Sequence, residues 1–407
     1  MLKRFSQFLT KKAGFLSSTR KWQQEADALR VLILTEYRRR ELAAVQQSTV
    51  QDGDNNTTAT KNLAMKAYTM DELLDNTPVG DVSMREWLGE LSHSDVLAYN
   101  QQNLHSQVVR IFRYLHDVHI DYYRQAQQVE AADAHSFAKT QDTRHLHNML
   151  SASCGFCLDV GDSAVSAESD GTIDGVYIRG KARAGTVVGF FPGVTYLRDR
   201  VHAGDFTARL DERGGRSDYV YMRSDRSLVD GSQRVGKLNP FALGHLIRHP
   251  SCGKPASLIA KPNVITFPFD YPSKDGKEPD VENITSYVET LSAEASNFFP
   301  TELRPYIPNA YSSPPGMLSP ESAKESFAQG AVIVAVRDLE DGEEIFCDYR
   351  LNPKVPLPSW YCPVDAKKVE EFWGVDNDGE KGVENGNGKG KGEVNVGVGD
   401  QQKEGSK

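Results

Sequence analysis

The amino-acid sequence predicts an α+β fold, with a helical N-terminal half packed on a mainly β half. Two observations predict it. Leu104, Val108, Ile111, Leu115, Val118 and Tyr122 step along the chain by four and three residues in turn. That spacing puts all six on one stripe of a long helix, over about 101–133, which packs on another helix or on the region that follows. From about residue 158 the texture changes. Short β-prone runs at 175–178, 186–191, 219–222, 227–229, 264–269 and 331–336 alternate with Gly and Pro, the pattern of strands joined by turns.

Composition limits what such a chain does. Its 407 residues are 39% hydrophobic, enough for a substantial core. A net charge of −9 argues against direct nucleic-acid binding through bulk electrostatics. No apolar run approaches the roughly 18 residues that span a bilayer, so no membrane partner is expected. The five cysteines do not form a disulfide framework and point to a reducing, intracellular setting, nucleus or cytoplasm. Residues 1–24 carry six basic and no acidic residues, with Phe5, Phe8, Leu9 and Phe15 among them. An organelle-targeting segment and a solvated basic helix end both fit that composition.

The elements follow in order. Ala28, Leu29, Leu32, Ile33 and Leu42 predict a helix over 22–47, within a helical region spanning 22–157. The polar stretch 48–61 reads as a linker. Two capping boxes, Thr69 with Glu72 and Ser83 with Glu86, start two short helices. The β domain spans 158–352, with a surface insertion near 302–329 that is rich in Pro and Gly. Residues 353–375 form a C-terminal cover, in which Trp360, Tyr361 and Trp373 are candidate covering aromatics. The Gly-rich stretch 376–407 lacks aromatic residues and reads as a disordered tail.

Chemistry-bearing candidates are few. Cys154 and Cys157 form a CxxC that suits half a zinc site, a redox pair or two buried thiols; His145 and His147 are the nearest further ligands. His116 and His119 share a helix face without an evident third ligand. The informative stretch is Gly342-Glu-Glu-Ile-Phe-Cys-Asp-Tyr349, a charged turn leading into a short strand that ends on tyrosine.

This run resembles the closing GEE(L/I)xxDY motif of SET-domain protein-lysine methyltransferases. Other segments fall in the order that family requires. Ala184-Gly-Thr-Val-Val-Gly-Phe-Phe-Pro-Gly193 is similar to its second strand and turn. Leu228-Val-Asp-Gly231, with Gly236 and Asn239, is similar to its IDAxxxGN segment. Ile247-Arg-His-Pro-Ser-Cys252, followed by Pro262-Asn-Val264, is similar to INHSC…PN. The resemblance covers about 170–352 and is nearest to the SET domain-containing protein 9 family, which shares the helical N-terminal half and the Asn239-Pro240 pair.

The resemblance implies a knotted SET-like domain and a protein-lysine N-methyltransferase. It implies S-adenosyl-L-methionine as cofactor and the lysine side chain of a protein as substrate. Tyr349 would be the catalytic tyrosine. Asp174, Gly175, Tyr177, Arg248 and His249 would bind the cofactor, and Phe191 and Tyr221 would line the substrate channel; no metal is implied. The sequence also departs from the family. Ile173 replaces the first glycine of GxG, Arg248 the asparagine of NH, Pro250 the serine, and Phe191 a tyrosine. Arg248 suits three roles: clamping the cofactor carboxylate, blocking the pocket, or pairing with Asp230. A catalytically degenerate SET fold that acts as a binding or scaffold module is the alternative. Oligomeric state is not legible.

Overall fold

The first described helix of the N-terminal half is buried on every side over residues 31–36. α1 (Thr19–Gln51) carries Ala28, Leu29, Val31, Leu32, Ile33, Leu34 and Thr35, all buried. A helix with no solvent face is a core element, not a surface one. A computed structural model of the chain describes residues 19–51, 73–74, 78–79, 82–128, 143–165, 173–197, 219–232, 235, 238–250, 261–272, 300–312, 326–351 and 361–366. Most of the basic segment 1–24, the linker beyond residue 51, the Thr69/Glu72 capping box, the His145 side chain, Gly236, Cys252, Trp360, Trp373 and the tail lie outside them. The first four residues of the expected linker, 48–51, continue α1.

After α1 come β1 (Pro78–Val79), β2 (Val82–Ser83), α2 (Met84–Glu90), α3 (His93–Gln128) and α4 (Thr143–Cys154). α2 starts on the expected capping box: Ser83 Oγ accepts from the Glu86 backbone, and Glu86 accepts from the Ser83 backbone at 3.0 Å. α3 begins eight residues before the expected start at residue 101. Ser92 and Asp95 cap it reciprocally, Asp95 Oδ2 accepting from Ser92 N at 2.8 Å. Leu104, Val108, Ile111, Leu115 and Val118 are buried as the stripe requires; the Tyr122 side chain lies outside the described residues.

The β half contains β3 (Phe156–Asp162), β4 (Asp174–Gly180), β5 (Val187–Phe191), β6 (Gly193–Tyr196), β7 (Val220–Met222), β8 (Leu228–Asp230), β9 (Val264–Pro272), β10 (Asn309–Tyr311) and β11 (Ser326–Ala335). β3 and β4 form an antiparallel pair, with Phe156 opposite Gly180 and Asp162 opposite Asp174. β5, β11 and β9 form an antiparallel sheet with β11 central, and β10-β6-β8-β7 form a second sheet in which β10 runs parallel to β6. The expected insertion near 302–329 is therefore structured at both ends. A short 3-10 helix (Thr301–Tyr306) buries Leu303 and Tyr306, β10 joins a sheet, and β11 already starts at Ser326. Its Pro and Gly content signalled turns, and burial of the apolar residues between them overrode that signal.

One hydrophobic core runs through both halves, and all the described residues belong to one compact unit, Met1–Gly374. Phe112 of α3 lies 5.2 Å from the Phe190 ring of β5 and 6.3 Å from the Tyr271 ring of β9. Side-chain amides of α3 satisfy the outer strands: Gln107 donates to Gly185 O and accepts from Val187 N, both at 2.9 Å. α1 is fixed as firmly. Gly185 adopts a left-handed backbone, and a Cβ there would collide with the Leu34 carbonyl. Buried Glu41 pairs with Arg183 of the β half at 2.8 Å. Burial alone would raise the Glu36 pKa, but its bonds to Arg39 and Arg40 outweigh that and hold it below the ordinary value.

α3 also carries a titration. Burial pushes the His105 pKa down from 6.5 to about 4. Between those values the unfolded chain holds the proton and the folded chain does not. The stability contribution is thus complete above pH 6.5 and lost as pH falls toward 4. Going from pH 7 to pH 5 is expected to cost about 2 kcal/mol at this residue. Urea unfolding at both pH values checks it: His105→Gln should flatten the dependence, and an unchanged slope contradicts it.

Candidate active site

The segment 342–349 is placed by backbone bonds on two sides. Gly342 makes the left-handed turn, φ 77°. On one side lies β4: Ile178 N donates to Glu343 O at 2.9 Å and Ile345 N to Val176 O at 2.7 Å. On the other side lie two separate stretches: Cys347 N donates to Arg248 O at 2.9 Å, and Asn263 N to Phe346 O at 3.0 Å. The backbone therefore lays this segment beside 247–249 and 263–264 at once, both in parallel register.

Asn263 staples the arrangement. Its buried amide donates to Glu344 O at 2.8 Å and Glu343 Oε1 at 2.9 Å, and accepts from Phe346 N at 2.8 Å. Glu343 also pairs with Arg337; these bonds outweigh burial and keep its pKa low. Glu344 is not a solvated strand-end charge. It is buried, accepts from Ser163 Oγ at 2.5 Å and Ala164 N at 2.8 Å, and lies 3.3 Å from the Tyr177 hydroxyl.

Tyr349 ends the segment against His249. Its hydroxyl donates to Ile247 O at 2.6 Å, and its backbone N–H donates to His249 Nδ1 at 3.3 Å. His249 Nε2 lies 2.7 Å from Cys362 O. An Nδ1 that accepts and an Nε2 that donates define the neutral tautomer. Burial agrees, pushing the His249 pKa down despite Asp348 nearby. The imidazole lies between two aromatic rings, Tyr349 at 5.5 Å and Tyr361 at 4.6 Å, the latter stacked at 28°. The Tyr361 hydroxyl accepts from Leu351 N at 3.1 Å and its pKa is pushed up to about 12 by burial. Tyr361 thus packs directly on the imidazole.

The cofactor candidates gather on the β4 side. Arg248 Nε donates to Asp174 O at 2.7 Å, which corrects the suggested pairing with Asp230; Asp230 instead accepts from Ser232 N at 3.0 Å. Among the described residues the terminal nitrogens of Arg248 carry no bond, which leaves two donor groups for an anion. Gly175 faces Glu344 and Ser163, and a Cβ there would collide with the Glu344 carboxylate. The Tyr177 hydroxyl is taken up by Asp162 O at 2.5 Å and by Glu344, and burial raises its pKa. Of the five cofactor candidates, Tyr177 and His249 already have their side-chain polar groups engaged within the fold.

The channel candidates meet on the other side. The Phe191 and Tyr221 rings lie 5.7 Å apart, and Tyr221 donates to Thr266 O at 3.4 Å. Thr266 Oγ1 lies 3.5 Å from Cys347 Sγ, two residues before Tyr349. Burial pushes the Tyr221 pKa up, so it remains a neutral donor. The arrangement offers a fixed hydroxyl beside a backbone carbonyl, an aromatic wall on one side and an open guanidinium on the other. Such a site can orient an amine and bind a carboxylate.

Sequence reasoning missed three participants: the Ile247 carbonyl, the buried Glu344, and an ion pair between Arg350 and Asp27 of α1. Only the GEE spelling signalled Glu344, and nothing local signalled the others. The CxxC pair is settled as free thiols: burial pushes Cys154 up to about 12 and raises Cys157. Cys362, by contrast, is disulfide-bonded, so the odd cysteine set does include a paired member. Among the described residues no group of three His, Cys, Asp or Glu side chains is placed to hold a metal, and no helix is long and apolar enough to cross a membrane. No protein-family model matches the chain, and no curated protein matches it.

Proposed function

We propose that the protein is an S-adenosylmethionine-dependent protein-lysine N-methyltransferase with a SET-like knotted β domain. One observation carries the reading. Tyr349, at the end of the GEExxDY-like run, docks its backbone on His249 and its hydroxyl on the Ile247 carbonyl, from the INHSC-like run. These two runs lie 100 residues apart in the chain and meet where the reaction needs a polar focus.

When bound, the cofactor supplies an electrophilic methyl carbon, and displacement by a neutral amine forms the N–C bond as the S–C bond breaks to leave the thioether. The chain supplies alignment. Arg248 holds the carboxylate end through its open nitrogens. The Tyr349 hydroxyl donates to Ile247 O and accepts from the amine N–H, which points the nitrogen lone pair along the reaction line. A lysine amine is ordinarily protonated, with a pKa of about 10.4. Phe191 and Tyr221 withdraw it from water and so favour the neutral form.

A second reading has its own observation. Glu344 and Ser163 already fill the space beside Gly175, where a GxG backbone would receive the cofactor. On that reading the fold binds a protein partner without chemistry. Calorimetric titration separates the two. The methyltransferase reading expects saturable heat with S-adenosylmethionine, competed by S-adenosylhomocysteine, and binding weakened roughly 10- to 100-fold in Arg248→Ala. Absence of heat over a wide concentration range contradicts it and favours the binding module.

A further inference from the structure

We infer that Asp27, in the N-terminal helix α1, is a positioning residue for Tyr349, acting through Arg350. The inference rests on the methyltransferase reading for its kinetic consequence, and on geometry alone for the placement.

Arg350 follows Tyr349 directly and adopts a left-handed backbone, φ 48°. That conformation is costly for a residue with a side chain and persists where surrounding contacts over-determine it. Two contacts do so here. Asp348 Oδ1 accepts from Arg350 N at 3.1 Å, and the Arg350 guanidinium forks onto Asp27, with Nη2 to Oδ1 at 3.2 Å and Nη1 to Oδ2 completing the pair. Neither side chain is a free surface group: 25% of Arg350 and 17% of Asp27 is exposed. Burial would lower the Arg350 pKa, but the Asp27 carboxylate outweighs that and raises it.

The other end of the fork does not yield. One turn beyond Asp27, Val31, Leu32 and Ile33 are fully buried, and Leu34 lies against Gly185 with no room between the backbones. Arg30 adds a second cation whose field is felt at both Asp27 and Arg350. The Asp27 charge therefore acts on two arginines. Without its charge, Arg30 and Arg350 repel each other across a partly buried site. Arg350 then loses one of the two contacts that hold its strained backbone, and the neighbouring Tyr349 loses its fixed distance to Ile247. The helical half thereby reaches the reacting group through one ion pair 323 residues apart in sequence.

The test uses the full chain with 3-fluorotyrosine in place of tyrosine. The resonance of Tyr349 is identified by its loss in Tyr349→Phe. Asp27→Asn is expected to shift or broaden that resonance, Asp27→Glu to return it, and Arg350→Lys, which keeps the charge but loses the fork, to shift it as Asp27→Asn does. In the same proteins Asp27→Asn is expected to lower kcat for methyl transfer at least about tenfold, with KM for S-adenosylmethionine within about twofold of wild type. A Tyr349 resonance unmoved in Asp27→Asn and in Arg350→Lys overturns the inference, as does an unchanged kcat in Asp27→Asn. A wild-type protein that neither binds the cofactor nor transfers methyl overturns the proposed function instead, and the fluorine spectra still decide the role of Asp27.

Discussion

Replacing Tyr349 with phenylalanine is expected to lower methyl transfer by about 100-fold or more while leaving the S-adenosylmethionine Kd within about twofold. The ring keeps its packing on His249 and the backbone N–H keeps its bond to Nδ1, so the fold around the site survives. What disappears is the hydroxyl that donates to Ile247 O. Without it, the amine loses the acceptor that aims its lone pair, and the Ile247 carbonyl loses its donor. The interaction matters mainly as bonds change, so its loss belongs in kcat and not in cofactor binding. Single-turnover methyl transfer and calorimetry on the same preparation check both halves. Transfer preserved in Tyr349→Phe removes the role assigned to the hydroxyl.

The largest expected loss of stability near the site comes from Asn263→Ala, at about 3–4 kcal/mol in urea unfolding. Asn263 is 1% exposed and its side chain makes three bonds to one segment. Truncation leaves the Phe346 N–H and Glu344 carbonyl without that partner in a dry interior, where each such group costs about 1–3 kcal/mol. Glu343 keeps Arg337, so its share is smaller. Since these bonds also fix the strand that ends on Tyr349, methyl transfer is expected to fall together with stability. Asn263→Asp separates the contributions: it retains the acceptor for Phe346 N and loses the two donations. A stability change below about 1 kcal/mol in Asn263→Ala would contradict the stapling role.

Local pattern made the main elements legible. The stripe from Leu104 to Val118 marks α3, and β-prone runs mark β4, β5, β9 and β11. The GEExxDY-like run marks the position of Tyr349. What stayed hidden is what the chain assembles across distance. β3 was missed because Phe156-Cys-Leu-Asp-Val-Gly-Asp162 carries two aspartates and a glycine, and its strand character comes from pairing with β4. Glu344 reads as a solvated charge until Ser163, 181 residues away, closes over it. Asp27 and Arg350 look like ordinary surface charges until the burial of α1 brings them together. In each case the missing information is a non-local contact, which no periodicity or composition encodes.

The account is tested most directly by incubating the full chain with methyl-labelled S-adenosylmethionine and a diverse protein extract, then locating the label by mass spectrometry. The account predicts label on lysine side-chain nitrogen, absent from a parallel reaction with Tyr349→Phe. Cofactor binding without lysine label, or label that persists in Tyr349→Phe, would contradict it.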